Sequence, residues 1–225
     1  MQIQDRWPAT NPDVIQLYSL ATPNGVKVSI ALEELGLRYQ AHKVDITTGD
    51  QLTPEFLSLN PNNKIPAIID PHGPGDEPFG LWETGAILQY LADKTGKLLP
   101  RDGAQRYEVL QWLSWQVGGL GPMMGQVGFF HKYAGREFED KRPLQRYVDE
   151  SARLLRVLDK HLVGREWIVD EYSIADIAVF PWVRNFVGWY EAGELVDYSQ
   201  FKEVDRVLQA FLARPAVQRG LAVPA

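Results

Sequence analysis

The sequence of 225 residues contains no cysteine. This absence excludes disulfide bridges, thiolate metal sites and any protein thiol that would act as a nucleophile. If the protein performs redox chemistry, the sulfur must therefore come from a bound molecule. The absence also fits a reducing compartment, and we expect a cytoplasmic protein. The four histidines show no metal-ligand spacing, so we expect no metal.

Three further features are missing, and each excludes a class of partner. No run of 18 or more apolar residues is present, so neither a membrane-spanning helix nor a membrane partner is expected. Residues 1–8 lack a basic start and an apolar stretch, which argues against a secretory signal. The net charge is -6 and there is no basic block, so nucleic acid is not an expected partner.

The composition, with 45% apolar and 23% charged residues, is typical of a soluble globular protein, and the chain is long enough for two modest domains. The first part is predicted to alternate strands and helices, and its element order, βαβ followed by ββα, is thioredoxin-like. Apolar periodicity and turn residues predict strand 14–18, helix 26–35 ended by Gly36, strand 39–44, a short helix near 54–56, strands 65–69 and 79–82, and helix 84–94 ended by Gly96.

The second part is predicted to be entirely helical. Its segments are expected at about 104–117, 141–162, 174–190 and 201–213, with a broken stretch at 118–139. The strongest local signal is Ser173-Ile174-Ala175-Asp176, where Ser173 and Asp176 can cap each other at a helix start. We therefore expect four segments: an irregular N-terminal arm (1–13), an α/β thioredoxin-like domain (14–96), a linker (97–103) and an all-α domain (104–225).

Two short segments in the first domain point to a ligand. In the segment 62–70, Pro66 stands at the entrance of a buried strand, where its missing N–H is tolerated. A cis bond there would leave the backbone N–H and C=O of Ile65 free to pair with an extended ligand. In the segment 81–88, Glu83 and Thr84 precede a helix; Thr84 is the expected N-cap, and a helix N-terminus attracts anions. Together these groups suit a small zwitterionic peptide.

Taken in this order, with a Gly/Pro turn between them, the two segments resemble the glutathione-binding domain of the glutathione transferase superfamily. The resemblance extends over residues 14–220, and the Ser173–Asp176 box resembles the folding-core box of the family's helical domain. It implies glutathione contacts at Ile65, Pro66, Glu83 and Thr84. The family usually has serine at the position of Thr84; the hydroxyl is kept here.

The turn Thr22-Pro23-Asn24-Gly25 lies where the superfamily places the group that holds the glutathione sulfur. Asn-Gly is also a common turn dipeptide, so a purely structural turn is the alternative. The tetrapeptide is similar to the bacterial Nu class and the related Ure2-like branch. That resemblance implies that Thr22 and Asn24 are the sulfur-side, catalytic residues.

The same class resemblance implies three further contacts. Gln51 and Lys64 match positions that meet the glycine end of glutathione, although Lys64 can equally be a solvated loop lysine. Arg146 resembles an arginine that meets a second glutathione, although helix surfaces carry many arginines for solubility. The glycines between Gly118 and Gly125 are costly in a helix, at about 1 kcal/mol each, which calls for close backbone packing or for room over a ligand.

The resemblance implies a homodimeric enzyme that uses glutathione as co-substrate, as one or two molecules or as glutathione disulfide in each site. The expected activity is glutathione-dependent reduction of small-molecule disulfides. One alternative is a conventional transferase that conjugates glutathione to electrophiles. The other is a binding or regulatory protein with little catalysis; the sequence lacks the Gln/Asn-rich tail of that branch.

Overall fold

The computed structural model describes residues 2–224 and divides into two compact units. One unit contains the residues up to Lys97 together with those from Pro215 onward, and the other is Leu98–Arg214. The strands are β1 (Ile15–Ser19), β2 (Tyr39–Lys43), β3 (Ala67–Asp70) and β4 (Phe79–Trp82). The helices are α1 (Ile3–Arg6), α2 (Gly25–Leu35), α3 (Pro54–Leu57), α4 (Thr84–Thr95), α5 (Gly103–Trp115), α6 (Gly121–His131), α7 (Arg142–Leu162), α8 (Ile174–Val187), α9 (Lys202–Leu212) and α10 (Pro215–Leu221).

The first unit is built on one four-stranded sheet in the order β2-β1-β3-β4. β1 and β2 are parallel, and α2 supplies the crossover that a parallel pair requires. β3 is antiparallel to both β1 and β4. Every residue of β1 is buried, because this strand pairs on both sides within the sheet. The expected thioredoxin-like fold, followed by a helical domain, is confirmed.

α2 and α4 end where the sequence predicts, at Gly36 and Gly96, which both adopt left-handed backbone conformations. The start of α4 differs from the prediction. Glu83, with φ 71°, is the N-cap and its side chain makes no capping hydrogen bond, whereas Thr84 is the first helical residue. The expected N-cap at Thr84 is therefore wrong by one residue, because the chain turns into the helix at Glu83.

The predicted irregular arm contains one helical turn, α1. Ile3 is fully buried, in a cluster that includes Tyr18, Val44 and Phe56, and Trp7 packs against the same cluster. A helix of four residues is too short to show apolar periodicity in the sequence. The N-terminal segment is thus part of the first unit's core.

The division of the chain also differs from the predicted one, which assigned residues 104–225 to the helical domain. α10 belongs to the first unit, where it packs on α2. A Cβ added at Gly220 would lie 2.6 Å from the backbone N of Ile30, so only glycine allows this close approach. The Ser29 hydroxyl donates to the Gly220 carbonyl at 2.6 Å. Packing between distant residues, which local patterns do not encode, decides where α10 lies.

In the second unit the predicted broken stretch at 118–139 consists of short helical pieces. A π-helical turn, Gln116–Leu120, leads directly into α6. A Cβ at Gly121 would lie 2.5 Å from Gln116 Nε2 and 3.2 Å from the Trp182 ring, so close packing explains this glycine. Gly118 has no such neighbour within 4 Å. Packing and open space therefore both occur along the segment.

The predicted capping box is present at the start of α8. The Asp176 carboxylate accepts the backbone N–H of Ser173 at 2.9 Å, and the Ser173 hydroxyl accepts the N–H of Ala175 at 3.2 Å. Asp176 also accepts the Ile168 N–H at 3.0 Å, which ties the preceding loop to the helix. Burial raises the pKa of Asp176 to about 6, although these hydrogen bonds favour its ionised form.

Candidate functional site

The turn after β1 prepares a hydroxyl for a ligand. The Gly25 N–H donates to the Thr22 hydroxyl oxygen at 3.1 Å, and the Val26 N–H donates to the Thr22 carbonyl at 3.0 Å. The Thr22 oxygen accepts in this bond, so its own hydrogen can still be donated. A Cβ at Gly25 would lie 1.8 Å from the Leu20 carbonyl oxygen, so this position requires glycine. Asn24, which is half-buried, is the N-cap residue of α2.

Tyr18, the other hydroxyl near this turn, is not suited to hold a thiolate. Its side chain is fully buried in β1 and stacks on His42 with ring centroids 4.7 Å apart. Burial raises the pKa of Tyr18 to about 12. The choice of Thr22 and Asn24 as the sulfur-side residues stays a prediction.

The entrance of β3 presents an unpaired stretch of backbone. Asn60 is 1% exposed and shapes the preceding turn, because its side-chain amide donates to the Lys64 carbonyl at 2.6 Å. The Ile65–Pro66 peptide bond is cis. Among residues 2–224, no backbone partner pairs with the N–H or C=O of Ile65. The Lys64 side chain is exposed.

The start of α4 offers a carboxylate and a set of N–H donors. The first intrahelical bond runs from the Ile87 N–H to the Glu83 carbonyl at 2.9 Å, so the N–H groups of Thr84, Gly85 and Ala86 precede the helical ladder. Glu83 is exposed and Thr84 is buried. A ligand can therefore reach the carboxylate of Glu83 from solvent.

Gln51 carries an unsatisfied polar atom. It lies in the short 3-10 turn Asp50–Leu52. Its side-chain amide donates to the Ile46 carbonyl over a long 3.4 Å, and its Oε1 is buried without a hydrogen-bond partner among the described residues. Because buried polar atoms are normally paired, this oxygen is available to a further hydrogen-bond donor.

Sheet topology brings these segments to one edge. Tyr18 near the end of β1 is opposite Ala67 at the start of β3, and Ala67 is opposite Trp82 at the end of β4. Ser19 is in register with Lys43, so the loop that carries Gln51 leaves from the same edge. The expected site residues of the first unit all lie in segments at this edge: Thr22, Asn24, Gln51, Lys64, Ile65, Pro66, Glu83 and Thr84.

Sequence reasoning missed Lys27, the third residue of α2. Its side chain is 1% exposed. Burial lowers the pKa of Lys27 to about 7, and the Glu83 carboxylate partly opposes that shift. A signal was present in the sequence: helical spacing puts Lys27 on the same face as Ile30 and Ala31, which the amphipathic pattern assigns to the core.

Arg146 lies in the second unit, on the exposed surface of α7. A cavity of about 640 Å³ opens beside it. It is lined by Met123, Arg146, Tyr147, Asp149, Glu150, Arg153 and Arg156. Arg153 is already paired with Glu150 at 2.7 Å. The cavity therefore carries mixed charge, since the Asp149 and Glu150 carboxylates line it together with the guanidinium groups of Arg146 and Arg156.

Two searches of the described residues gave negative results. Between residues 2 and 224, no group of three or more His, Cys, Asp or Glu side chains is arranged to hold a metal ion. Within the same range, no helix combines the length and the apolar character needed to cross a membrane.

Fold and site together define a two-domain protein: a thioredoxin-like unit that gathers polar groups at one sheet edge, and an all-helical unit. Comparison with known families identifies the family to which this two-domain protein belongs. The model of the glutathione S-transferase N-terminal domain matches residues 13–93, and that of the C-terminal domain matches residues 122–215. The chain belongs to the glutathione S-transferase family, as the sequence resemblance predicts.

Individual proteins and solved structures are also similar to this chain. The Escherichia coli disulfide-bond oxidoreductase YfcG is 45% identical over 211 residues, covering 92% of this chain and 94% of its own. A Pseudomonas putida glutathione transferase structure with one glutathione disulfide bound per subunit is 66% identical, with a TM-score of 0.98, covering 100% of this chain and 97% of that one. A Pseudomonas fluorescens family member with two glutathione bound is 68% identical, with a TM-score of 0.97 and 98% of both chains covered.

Proposed function

We propose that this protein binds glutathione at the sheet edge of its first unit and uses the glutathione thiolate to reduce disulfides. One observation carries the proposal. The unpaired backbone of Ile65, the unsatisfied Gln51 oxygen, the Glu83 carboxylate and the free N–H groups of α4 belong to segments at the same edge of the sheet. The chain has no cysteine, so the reacting sulfur must come from the ligand.

The available groups fit glutathione along its whole length. Glu83 takes the γ-glutamyl ammonium. Thr84 and the N–H groups that follow it take the γ-glutamyl carboxylate, with about half a positive charge from the helix dipole. Ile65, preceding Pro66, pairs with the cysteinyl backbone, and Gln51 and Lys64 take the glycine end.

Thr22 and Asn24 would then hold the sulfur. A thiol with a pKa of about 8.5 is only about 3% ionised at pH 7, and lowering that pKa by about two units raises the thiolate fraction roughly 25-fold. Two pKa units correspond to about 2.7 kcal/mol. A hydrogen bond to a charged group contributes about 1.5–3 kcal/mol, so the Thr22 hydroxyl and the Asn24 amide suffice. The N-terminus of α2 adds its dipole.

The reaction balances without any protein sulfur. The first glutathione thiolate attacks one sulfur of the substrate disulfide, forming a mixed disulfide and releasing a thiolate that takes up a proton. A second glutathione thiolate attacks the glutathione sulfur of that mixed disulfide, and the second substrate thiolate leaves and takes up a proton. Two glutathione thiols are oxidised to glutathione disulfide while one substrate disulfide is reduced.

The relatives support this reading. A similar protein is named a disulfide-bond oxidoreductase, and similar structures contain two glutathione or one glutathione disulfide per subunit. Glutathione disulfide is the expected product of the reaction, and two glutathione molecules are its expected reductants. Dependence on glutathione also supports a cytoplasmic location, where a reducing thiol pool is present.

The test compares two substrates and two sulfur-side variants. We expect 2-hydroxyethyl disulfide with glutathione to turn over faster than 1-chloro-2,4-dinitrobenzene with glutathione. Thr22→Ala and Asn24→Ala should each lower the first rate several-fold, whereas Thr22→Ser, which keeps the hydroxyl, should retain most of it. The reverse substrate preference would indicate a conjugating transferase. Glutathione binding without turnover of either substrate would indicate a binding protein.

A further inference from the structure

The N-terminal segment is fastened to the base of the loop that carries Gln51. The Trp7 ring packs edge-on against Tyr18 and Phe56, at 6.3 Å between centroids in each case. The Trp7 indole N–H donates to the Lys43 carbonyl at 2.9 Å, where β2 ends and the loop begins. Together with buried Ile3, these contacts fix residues 3–7 on the first unit.

Arg6 reaches the far end of the same loop. Its guanidinium group lies over the Trp7 ring at 5.1 Å from the centroid and forms an ion pair with Asp50 Oδ1. The Asp50 side chain is only 13% exposed, and its Oδ2 accepts the Asp45 N–H at 2.9 Å. Asp50 therefore joins the start of the loop, its end and the N-terminal segment in one network.

Gln51 is the next residue after Asp50, and its amide has little support of its own. Among the described residues, the side-chain hydrogen bond that Gln51 makes is the long one to the Ile46 carbonyl, at 3.4 Å. A side chain held so weakly depends on the backbone that carries it for its position. That backbone is held by the hydrogen bonds of Asp50 to Asp45 and Thr53, and the ion pair with Arg6 ties Asp50 to the N-terminal segment.

We infer that Arg6, acting through Asp50, is a positioning residue that holds Gln51 for its contact with the glycine end of glutathione. This inference rests on the proposed function, since it names a determinant of glutathione affinity. Arg6 itself does not touch the ligand in this scheme. Its effect should appear in glutathione affinity and in the KM for glutathione, with little change in kcat.

The experiment uses the full chain and six variants, one of which is Gln51→Ala. Arg6→Ala removes the ion pair, Arg6→Lys keeps the charge, Asp50→Asn removes the acceptor charge, and the Arg6→Ala/Asp50→Asn double variant closes a cycle. The matched control is Arg142→Ala, because Arg142 is also an exposed arginine, paired with Asp140 at 2.7 Å, on α7 of the other unit. Calorimetry gives the Kd for glutathione, and hydrogen exchange follows the amides of residues 45–53.

We expect Arg6→Ala to raise the Kd for glutathione about threefold to fivefold, the range for loss of a partly exposed ion pair. The same variant should speed amide exchange in residues 45–53, whereas Arg6→Lys should restore most of both effects. Arg6→Ala should add nothing in the Asp50→Asn background. Arg142→Ala should leave affinity and exchange unchanged.

Two results would overturn the inference. One is an unchanged Kd and KM for glutathione in the Arg6→Ala variant. If the melting temperature of that variant falls while its Kd and KM stay the same, Arg6 only stabilises the fold. The other is additive losses in the double variant, which would mean that Arg6 does not act through Asp50. The Gln51→Ala variant distinguishes failure of this inference from failure of the proposed function. If the unaltered chain does not bind glutathione, the proposed function fails. If Gln51→Ala weakens glutathione binding and Arg6→Ala does not, only the role of Arg6 fails.

Discussion

The site combines an exposed carboxylate, Glu83, with a buried amine, Lys27, that interacts with it electrostatically. Lys27 lies on α2, and Glu83 is the N-cap of α4. Glu83 has a positive φ of 71°, which is uncommon outside glycine. The Glu83 carboxylate is exposed and can be reached by a ligand ammonium, whereas the Lys27 amine is buried. Two predictions at the scale of single residues follow from it.

Removing the Glu83 carboxylate should weaken glutathione binding. Glu83→Ala is expected to cost about 2 kcal/mol or more, roughly 30-fold in Kd, because the charge pair with the ammonium is desolvated in the complex. Thr84→Ala should weaken binding too, through loss of its hydroxyl. Calorimetry measures both, with Glu77→Ala on the exposed turn before β4 as the control. Unchanged affinity in both site variants would reject this site.

Lys27 should make stability depend on pH. Burial lowers its pKa from 10.5 to about 7, so the contribution of this group is fully present above pH 10.5 and is lost as pH falls toward 7. Lys27→Met removes the titration. The stability of the unaltered chain relative to Lys27→Met should therefore improve by about 3 kcal/mol between pH 7 and pH 9.5.

Urea unfolding of both proteins at the two pH values measures this difference. Lys97→Met, which alters an exposed lysine, should show no such trend. A difference that stays constant from pH 7 to pH 9.5 would mean that Lys27 keeps an ordinary pKa in the folded protein.

At the scale of elements, two glycines of the glycine-rich stretch where α5 leads into α6 have different surroundings. Gly121 faces Gln116 and Trp182 at distances too short for a Cβ, whereas Gly118 is open. Gly121→Ala should destabilise the protein by about 1–3 kcal/mol through overpacking. Gly118→Ala should be neutral or stabilising by up to about 1 kcal/mol, since alanine favours helical structure.

Thermal or urea unfolding of this matched pair tests the assignment, and equal effects at the two positions would contradict it.

Elements with strong local signals could be predicted from the sequence. The strand at 79–82 and the ends of α2 and α4 agree with the structure, because turn residues and left-handed glycines mark them. The short helices α1 and α10 could not be predicted, since four or seven residues show too little periodicity. Their formation depends on burial against distant residues, as with Ile3 and Gly220.

The candidate site likewise has features that the sequence predicts and features that it does not. The sequence identified segments at strand ends and helix starts, because those signals are local. It did not identify Lys27, whose significance depends on Glu83, or Arg6, whose partner Asp50 is 44 positions away. Helical spacing signals that Lys27 is buried, but electrostatic pairing across such separations has no signature in a single sequence.

At the scale of the whole molecule, we predict a homodimer. Family membership favours it, and the four aromatic residues expected near the interface, Phe79, Trp82, Tyr90 and Trp115, are half-buried rather than enclosed. Sedimentation at micromolar protein should give twice the chain mass of 25.5 kDa. A species of 25.5 kDa would contradict the prediction.

α10 has a consequence for the order in which the protein is made. The unit that contains the sheet edge is closed by Gly220 on Ile30 and by the hydrogen bond from Ser29, although almost all of that unit precedes Lys97. During translation the ribosome must therefore synthesise the whole of Leu98–Arg214 before α10 can dock on α2. The half of the chain that is made first is completed later than the half that follows it.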